Sequence, residues 1–586
     1  MSRLRNRLDN ARRRRKPLAP WVEVRIGGEI EELPVEFASP LVMQLWNRLL
    51  GASASWSVWS LSRLFARLAA DSRVQGAVVR LECVAALSTY QSLRTVLMRF
   101  RERGKRLLAY GESFTPFQYY LAAACDWVVM PPAAEWGVTG LASEFIFLKE
   151  ALDQVGIRAE AFPVSPFKTA FDALTRSDFS AESRAQAEWL LDARFEELVR
   201  GIAQGRGLEV QRVRELIDAA PISAEEAVRC GLLDEALYGD QLDDFLKSRI
   251  PGAREQRPSR WRRLWTDASK RLPPPMRERL RVPADSEEQL IAPLSRALRA
   301  LVRLESPPRA SEVAVVEIRG LIAEGRSRAL PFPSGVGEVS GAEDVSELLR
   351  KVGRDPAVRA VVLHVNSGGG SALASDHIAQ EVRRLRARKP VVVYMGGVAA
   401  SGGYYISAFA NAIVAQPLTI TGSIGVIALK LEALSALRRL GVNSVVLRRG
   451  KRAALLSESV PLDADGREAL TRSVWRAYER FKQVVSEGRG LPLEDLEPIC
   501  GGRVWTGAQA LERRLVDATG DLTVAIATAR RLAQLPPDPT FSAQCRLAPR
   551  PLRWPIGGVL SGVRWLRGLA RRSSLWMVVP FVVLPE

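Results

Sequence analysis

Residues 391–426, VVVYMGGVAASGGYYISAFANAIVAQPLTITGSIGV, decide how the rest of the chain is read. Val391, Val392, Val393 and Tyr394 are β-branched or aromatic without a polar break, which predicts a buried strand punctuated by Gly396 and Gly397. Ala399-Ala400-Ser401-Gly402-Gly403 then opens a predicted helix through Tyr404, Tyr405, Ile406 and Phe409. Small residues around a single serine let another backbone approach closely. A serine at a helix N-terminus also has free amide donors beside it, which suits an oxyanion. The same position equally suits a serine that only caps the helix. Upstream, Ala360–Val365 reads as a buried strand running into Asn366-Ser367-Gly368-Gly369-Gly370-Ser371, whose amides can grip a substrate backbone or an oxyanion. Downstream, Thr421-Gly422-Ser423-Ile424-Gly425 predicts a third tight turn.

The pattern occurs twice. Val24–Ile30 answers Val316–Ile322, and each is followed by a helical stretch ending near an aspartate, Asp71 or Asp355. Each copy then has a buried strand, Val74–Leu81 or Val358–Val365. Tyr119-Tyr120 answers Tyr404-Tyr405, Gly137–Gly140 answers Gly422–Gly425, and Gly156 answers Gly441, all at one constant offset. Gly205-Arg206-Gly207-Leu208 answers Gly488-Arg489-Gly490-Leu491, and Ser223–Asp234 answers Thr506–Asp517. This is a tandem duplication of an α/β unit, with parallel sheets and helical crossovers. The copies differ where chemistry would occur. Pro116, Phe117 and Gln118 stand opposite Ser401, Gly402 and Gly403, and Glu82–Ala86 stands opposite the glycine stretch. The first copy instead carries Ser165-Pro166-Phe167-Lys168-Thr169-Ala170-Phe171, with Ala453 opposite Lys168. Apolar neighbours lower an ammonium's pKa from about 10.4, toward the roughly 7–8 that a general base wants. A lysine in such a place can also snorkel to solvent.

The order strand–Asn-Ser-x-Gly-Gly, strand–Ala-Ser-Gly-Gly-Tyr-Tyr, Thr-Gly-Ser-Ile-Gly resembles the signal peptide peptidase A (protease IV) family over about residues 20–240 and 310–530. The resemblance implies a Ser-Lys serine peptidase on the fold shared by Clp peptidase and crotonase. It implies Ser401 as nucleophile and Lys168 as its general base, supplied by the first copy ahead of Arg176-Ser177-Asp178-Phe179-Ser180. It also implies Ser423 as the lysine's hydrogen-bond partner. Gly369, Gly370 and Gly402 are the candidates for the oxyanion hole and substrate backbone. Gly368 stands where the family usually has proline, which leaves the amides in place but loosens the loop. The two histidines, His364 and His377, are not where a Clp-type peptidase carries its own; that neighbourhood reads Gly425-Val426-Ile427. A Ser-His-Asp triad is therefore not expected.

At 586 residues the chain needs more than one domain, and 47% hydrophobic with 25% charged residues is a globular composition. The expected division is a first domain at 20–244 supplying the lysine, a basic linker at 245–308, a second domain at 309–535 holding the serine, and a basic amphipathic tail at 536–586. Five scattered cysteines give neither a disulfide framework nor a zinc site, and no cofactor or metal is expected. The net charge of +19 calls for an anionic partner. No nucleic-acid motif is present. Arginines lie at 12–15, at 248–284 with Trp261 and Trp265, and at 552–572 with Trp554 and Trp565. That mixture fits an anionic membrane surface, or else a solvated basic face. No segment reaches the roughly 20 apolar residues of a membrane span. Peripheral attachment at the inner (cytoplasmic) membrane, on its cytoplasmic face, is the expectation. The family resemblance further implies hydrophobic, signal-peptide-like substrates and a homo-oligomer, tetramer favoured. A crotonase-type acyl-CoA enzyme and a catalytically silent membrane-surface scaffold are the alternatives.

Overall fold

The two copies build two sheets whose central parallel strands follow the same order. The computed structural model describes residues 9–34, 56–250, 290–303, 312–329, 338–537, 544–547 and 576–578. In the first copy, β1 (Trp21–Ile30), α1 (Val58–Ala70), β2 (Gly76–Ala85), α2 (Leu87–Glu102), β3 (Arg106–Tyr110), α3 (Pro116–Ala122) and β4 (Trp127–Met130) alternate along the chain. After these come β5 (Arg158–Pro163), the long helix α4 (Ala181–Arg206), β6 (Glu235–Ala236) and β7 (Ile291–Pro293). The sheet order is β6-β4-β3-β2-β1-β7, all parallel. Residues 290–303, within the stretch expected to be linker, thus complete the first sheet. The carbonyls of Leu298, Arg299 and Leu301 accept from Arg13, so this arginine of the N-terminal basic run is used inside the fold.

The second copy repeats the plan with β8 (Val313–Ala323), β9 (Glu338–Gly341), α5 (Ala342–Arg354), β10 (Ala360–Ser371), α6 (Ala372–Arg386), β11 (Val391–Ala400), α7 (Gly402–Ser407) and β12 (Ala412–Ala415). Further along come β13 (Ile420–Gly422), β14 (Ile427–Glu432), α8 (Ala464–Arg489), β15 (Val504–Thr506), β16 (Ala518–Thr519), α9 (Leu522–Leu532), β17 (Gln544–Leu547) and β18 (Trp576–Val578), with short helices between them. Its central order, β9-β8-β10-β11-β12-β16, is parallel throughout. Alternation with period two sends Val361, Leu363, Val391 and Val393 to one face, and Val362, Val392 and Tyr394 to the other, against α9. Both faces are buried, which explains the unbroken apolar runs.

The repeated Gly-Arg-Gly-Leu stretches end the two 26-residue helices α4 and α8. Gly207 and Gly490 sit there in the left-handed conformation, φ 67° and 63°.

The copies are interlocked. β5 of the first copy pairs antiparallel with β14 of the second, from Ile427↔Pro163 to Glu432↔Arg158. Arg99 grips Asp521 through two nitrogens at 2.6 and 3.1 Å. Ser92 donates to Glu32 (2.8 Å), lies 3.1 Å from the Tyr394 hydroxyl and accepts from Gln416 at 3.0 Å. Burial there pushes the Glu32 carboxyl up to about 8.

Two local expectations change. Gly396 and Gly397 do not end their strand; β11 continues to Ala400 because Val398–Ala400 pairs with Ile420–Gly422. Gly368–Gly370 likewise stay in β10, where Gly369 and Gly370 pair with Leu321 and Ile322 of β8 after a register shift. The basic stretches 251–284 and 552–572 lie outside the described residues. Among the described residues no helix is long and apolar enough to cross a membrane.

Candidate active site

Ser401 sits at the junction where β11 ends and α7 begins. Its backbone has φ 55° and ψ −115°, and its side chain makes no capping bond to the helix. A positive φ on a residue with a Cβ costs about 1–3 kcal/mol and persists only where the surroundings impose it. Here Ser401 N–H donates to Gly422 O at 2.8 Å, holding the junction against β13. Ser423, one residue beyond β13, has φ 51°, and its N–H donates to Arg503 O at 2.7 Å.

Lys168 follows β5, on a loop closed by Lys168 N–H to Ser165 O at 3.1 Å. The pairing of β5 with β14 carries this loop into the second copy. Lys168 Nζ lies 2.7 Å from Ser401 Oγ, 2.9 Å from Ser423 Oγ and 3.0 Å from Ser423 O. Lys168 is 1% exposed, and Ser401 and Ser423 are fully buried. Burial holds the Lys168 ammonium well below the usual lysine range. A neutral amine beside a buried hydroxyl is suited to take its proton. Lys168 does not snorkel.

The other candidates converge on the same point. A Cβ built on Gly402 would lie 3.1 Å from Gly369 Cα and 3.2 Å from Gly370 N, so the helix start abuts the glycine strand. Gly369 N–H donates to Ser367 Oγ at 3.1 Å. Gly402 opens α7, where a helical amide has no intrahelical partner. On the open side of β10, β18 pairs antiparallel with Gly369–Ser371, and Trp576 also bridges to Ile427 of β14.

His364 and the second-copy lysine are engaged elsewhere, and His377 lies exposed on α6. His364 Nδ1 is 3.3 Å from Glu317, and its ring stacks on Tyr394. Lys451 is exposed and pairs with Asp465 at 2.9 Å. Among the described residues no group of His, Cys, Asp and Glu could hold a metal ion.

Sequence reasoning missed the wall behind the lysine. Gly501 and Gly502 turn with φ 69° and 87°, and a Cβ on Gly502 would stand 2.8 Å from Lys168 Cα. Gly502 N–H donates to Ile424 O at 2.8 Å, and Ser165 Oγ donates to Gly501 O. Arg503 lies over the Phe167 ring at 4.1 Å. Two adjacent glycines were the available signal, but their partner is more than 300 positions away.

The model of peptidase family S49 matches residues 99–248 and 383–536. The chain is similar to the chloroplastic serine protease SPPA of Arabidopsis thaliana, 29% identical over 88% of this chain and 71% of that one. It is similar to Protease 4 of Haemophilus influenzae, 29% identical over 79% of this chain and 71% of that one. A putative protease of Synechocystis is 32% identical over 39% of this chain and 76% of its own length. With the family's two matched stretches falling one in each copy, this chain belongs to peptidase family S49 and is a serine peptidase.

Proposed function

We propose that the chain is an endopeptidase working through a Ser401–Lys168 dyad shared between its two copies. The observation that carries this is the buried Lys168 Nζ at 2.7 Å from Ser401 Oγ. Neutral Lys168 takes the hydroxyl proton as Ser401 Oγ attacks the scissile carbonyl, and the oxyanion is held by the amide of Gly402 with the Gly369–Gly370 strand. Collapse breaks the C–N bond, and the ammonium returns its proton to the leaving amine. Water then gives a proton to Lys168 while its oxygen attacks the acyl ester, and Ser401 Oγ recovers the proton as the ester breaks. Ser423 fixes the amine through Oγ and O.

Substrates are hydrophobic segments, signal peptides among them, bound extended by strand addition between β10 and β14. The chain's own β18 adopting that position supports this mode. An acyl-CoA enzyme or a silent scaffold would have no use for a serine and a desolvated amine in contact. In the same reading the basic, tryptophan-containing stretches 251–284 and 552–572, outside the described residues, hold the enzyme peripherally on the anionic cytoplasmic face of the inner membrane, as a homo-oligomer with a tetramer favoured.

A fluorophosphonate probe tests the dyad. The wild type should label at Ser401, while Ser401→Ala and Lys168→Ala should each remain unlabelled at neutral pH. Labelling of Lys168→Ala at the wild-type rate would overturn the assignment of the base.

A further inference from the structure

Lys168 and Ser401 sit in different copies, so their 2.7 Å separation depends on whatever fixes one copy's loop to the other copy's turn. The β5·β14 ladder ends at Pro163↔Ile427, five residues short of the lysine. Beyond it, Val164 N–H still donates to Val426 O and Ser165 Oγ to Gly501 O, and a fully buried side chain on α4 ties down the two residues that flank the lysine. Gln186 Nε2 donates to Phe167 O at 2.9 Å and to Thr169 Oγ1 at 3.3 Å, the residues on either side of Lys168. Its Oε1 accepts from Val504 N–H at 3.0 Å. Val504 O accepts from Trp189 Nε1 at 3.0 Å, one turn further along α4, and the Trp189 ring stacks on Trp505 at 5.6 Å.

Val504 is not a remote anchor. It pairs with Gly422, whose carbonyl receives the Ser401 N–H, and its neighbour Arg503 offers the carbonyl that receives the Ser423 N–H. One amide therefore references the lysine's flanking peptides to the strand that sets both serines. The orientation of that amide is forced, because Val504 N–H can only donate and Phe167 O can only accept.

We propose that Gln186 is a positioning residue of the Ser401–Lys168 pair, holding the lysine loop at bonding distance and closing it to water; this rests on the dyad reading given above. The expectation differs from that for an ordinary satisfied core glutamine. Loss of a purely structural bond lowers the amount of folded enzyme and leaves each surviving site unchanged. Loss of a positioning bond misplaces the amine and admits water, and solvation draws a depressed ammonium pKa back upward.

The test uses full-length Gln186→Met, which keeps length and bulk but neither donates nor accepts these bonds, with active sites counted by fluorophosphonate titration. Per titrated site, kcat at neutral pH should fall about ten- to hundredfold, the scale of a small misplacement of reacting groups. KM should change little. The ascending limb of the pH–rate profile should move to higher pH, with activity recovering there. A wild-type rate per site and an unmoved limb would overturn the proposal while leaving the dyad intact; an active Lys168→Ala enzyme would instead remove the dyad itself. Should Gln186→Met fail to fold, Trp189→Phe decides. It retains an aromatic ring against Trp505 but loses the bond to Val504 O, so a smaller limb shift in the same direction is expected, and an unmoved limb refutes the proposal.

Discussion

At the scale of single residues, the site is a desolvated amine facing two serines in left-handed backbone. The sign of its pH dependence follows directly. In the proposed dyad Lys168 would act as a base only when neutral, and its ammonium is held well below the usual lysine range by burial. The rate should therefore be low in acid, rise as pH climbs through that depressed value, and level off while ordinary lysines are still charged. Lys168→Arg should be inactive throughout, because a guanidinium does not give up its proton in the accessible range. A pH series of kcat/KM on both enzymes checks this, and an arginine variant with substantial activity would contradict it. Ser401 was legible from its company: a buried strand, small neighbours and a helix start. Lys168 became legible through the duplication, which exposed Ala453 and Pro116 as mutual gaps, together with the family resemblance. Gln186, Gly501 and Gly502 were not. Their contribution is contact across hundreds of positions, and nothing local in the sequence distinguishes a buried bridging glutamine from any helical one.

At the scale of elements, the strands were read correctly where both faces are buried, and their ends were not. Gly396-Gly397 and Gly368–Gly370 look like breaks because glycine weakens an isolated strand. Both remain extended because neighbouring strands supply partners, β13 for one and β8 for the other. At Gly370 glycine is required, since a Cβ would stand 2.0 Å from Ile322 O. The short strand β18 carries the clearest consequence at this scale. Its pairing with Gly369–Ser371 covers the edge that an extended substrate would use. Deleting residues 573–586 should lower KM for an extended peptide several-fold and leave kcat close to its original value, as expected when an internal competitor is removed. Steady-state kinetics with one fluorogenic peptide measure both, and an unchanged KM would show that β18 does not compete.

At the scale of the whole molecule, the proposed dyad draws one member from each copy, and one strand pairing brings the two together. That pairing leaves its repeat-related equivalent unused. β5, residues 158–163, pairs with β14, residues 427–432. At the offset relating the copies, the counterparts are 443–448 of the second copy and 142–147 of the first, and neither is in a strand among the described residues. Both present apolar side chains to solvent: Ile146 is 63% exposed, Val445 85% and Leu447 88%. A second copy of the chain could meet the first by repeating the internal contact, 443–448 of one against 142–147 of the next. Such a head-to-tail contact closes a ring when the rotation permits. The homo-oligomer proposed above then needs no surface unlike the one already inside each chain. Val445→Asp with Leu447→Asp should release monomers, because two desolvated charges oppose burial of that edge. The proposed Ser401–Lys168 pair lies within one chain and should survive, so fluorophosphonate labelling should persist as the mass falls. Sedimentation or light scattering reads the mass. An assembly unchanged by both aspartates would place the subunit contact elsewhere, whereas loss of labelling along with the assembly would mean that neighbouring chains support the site.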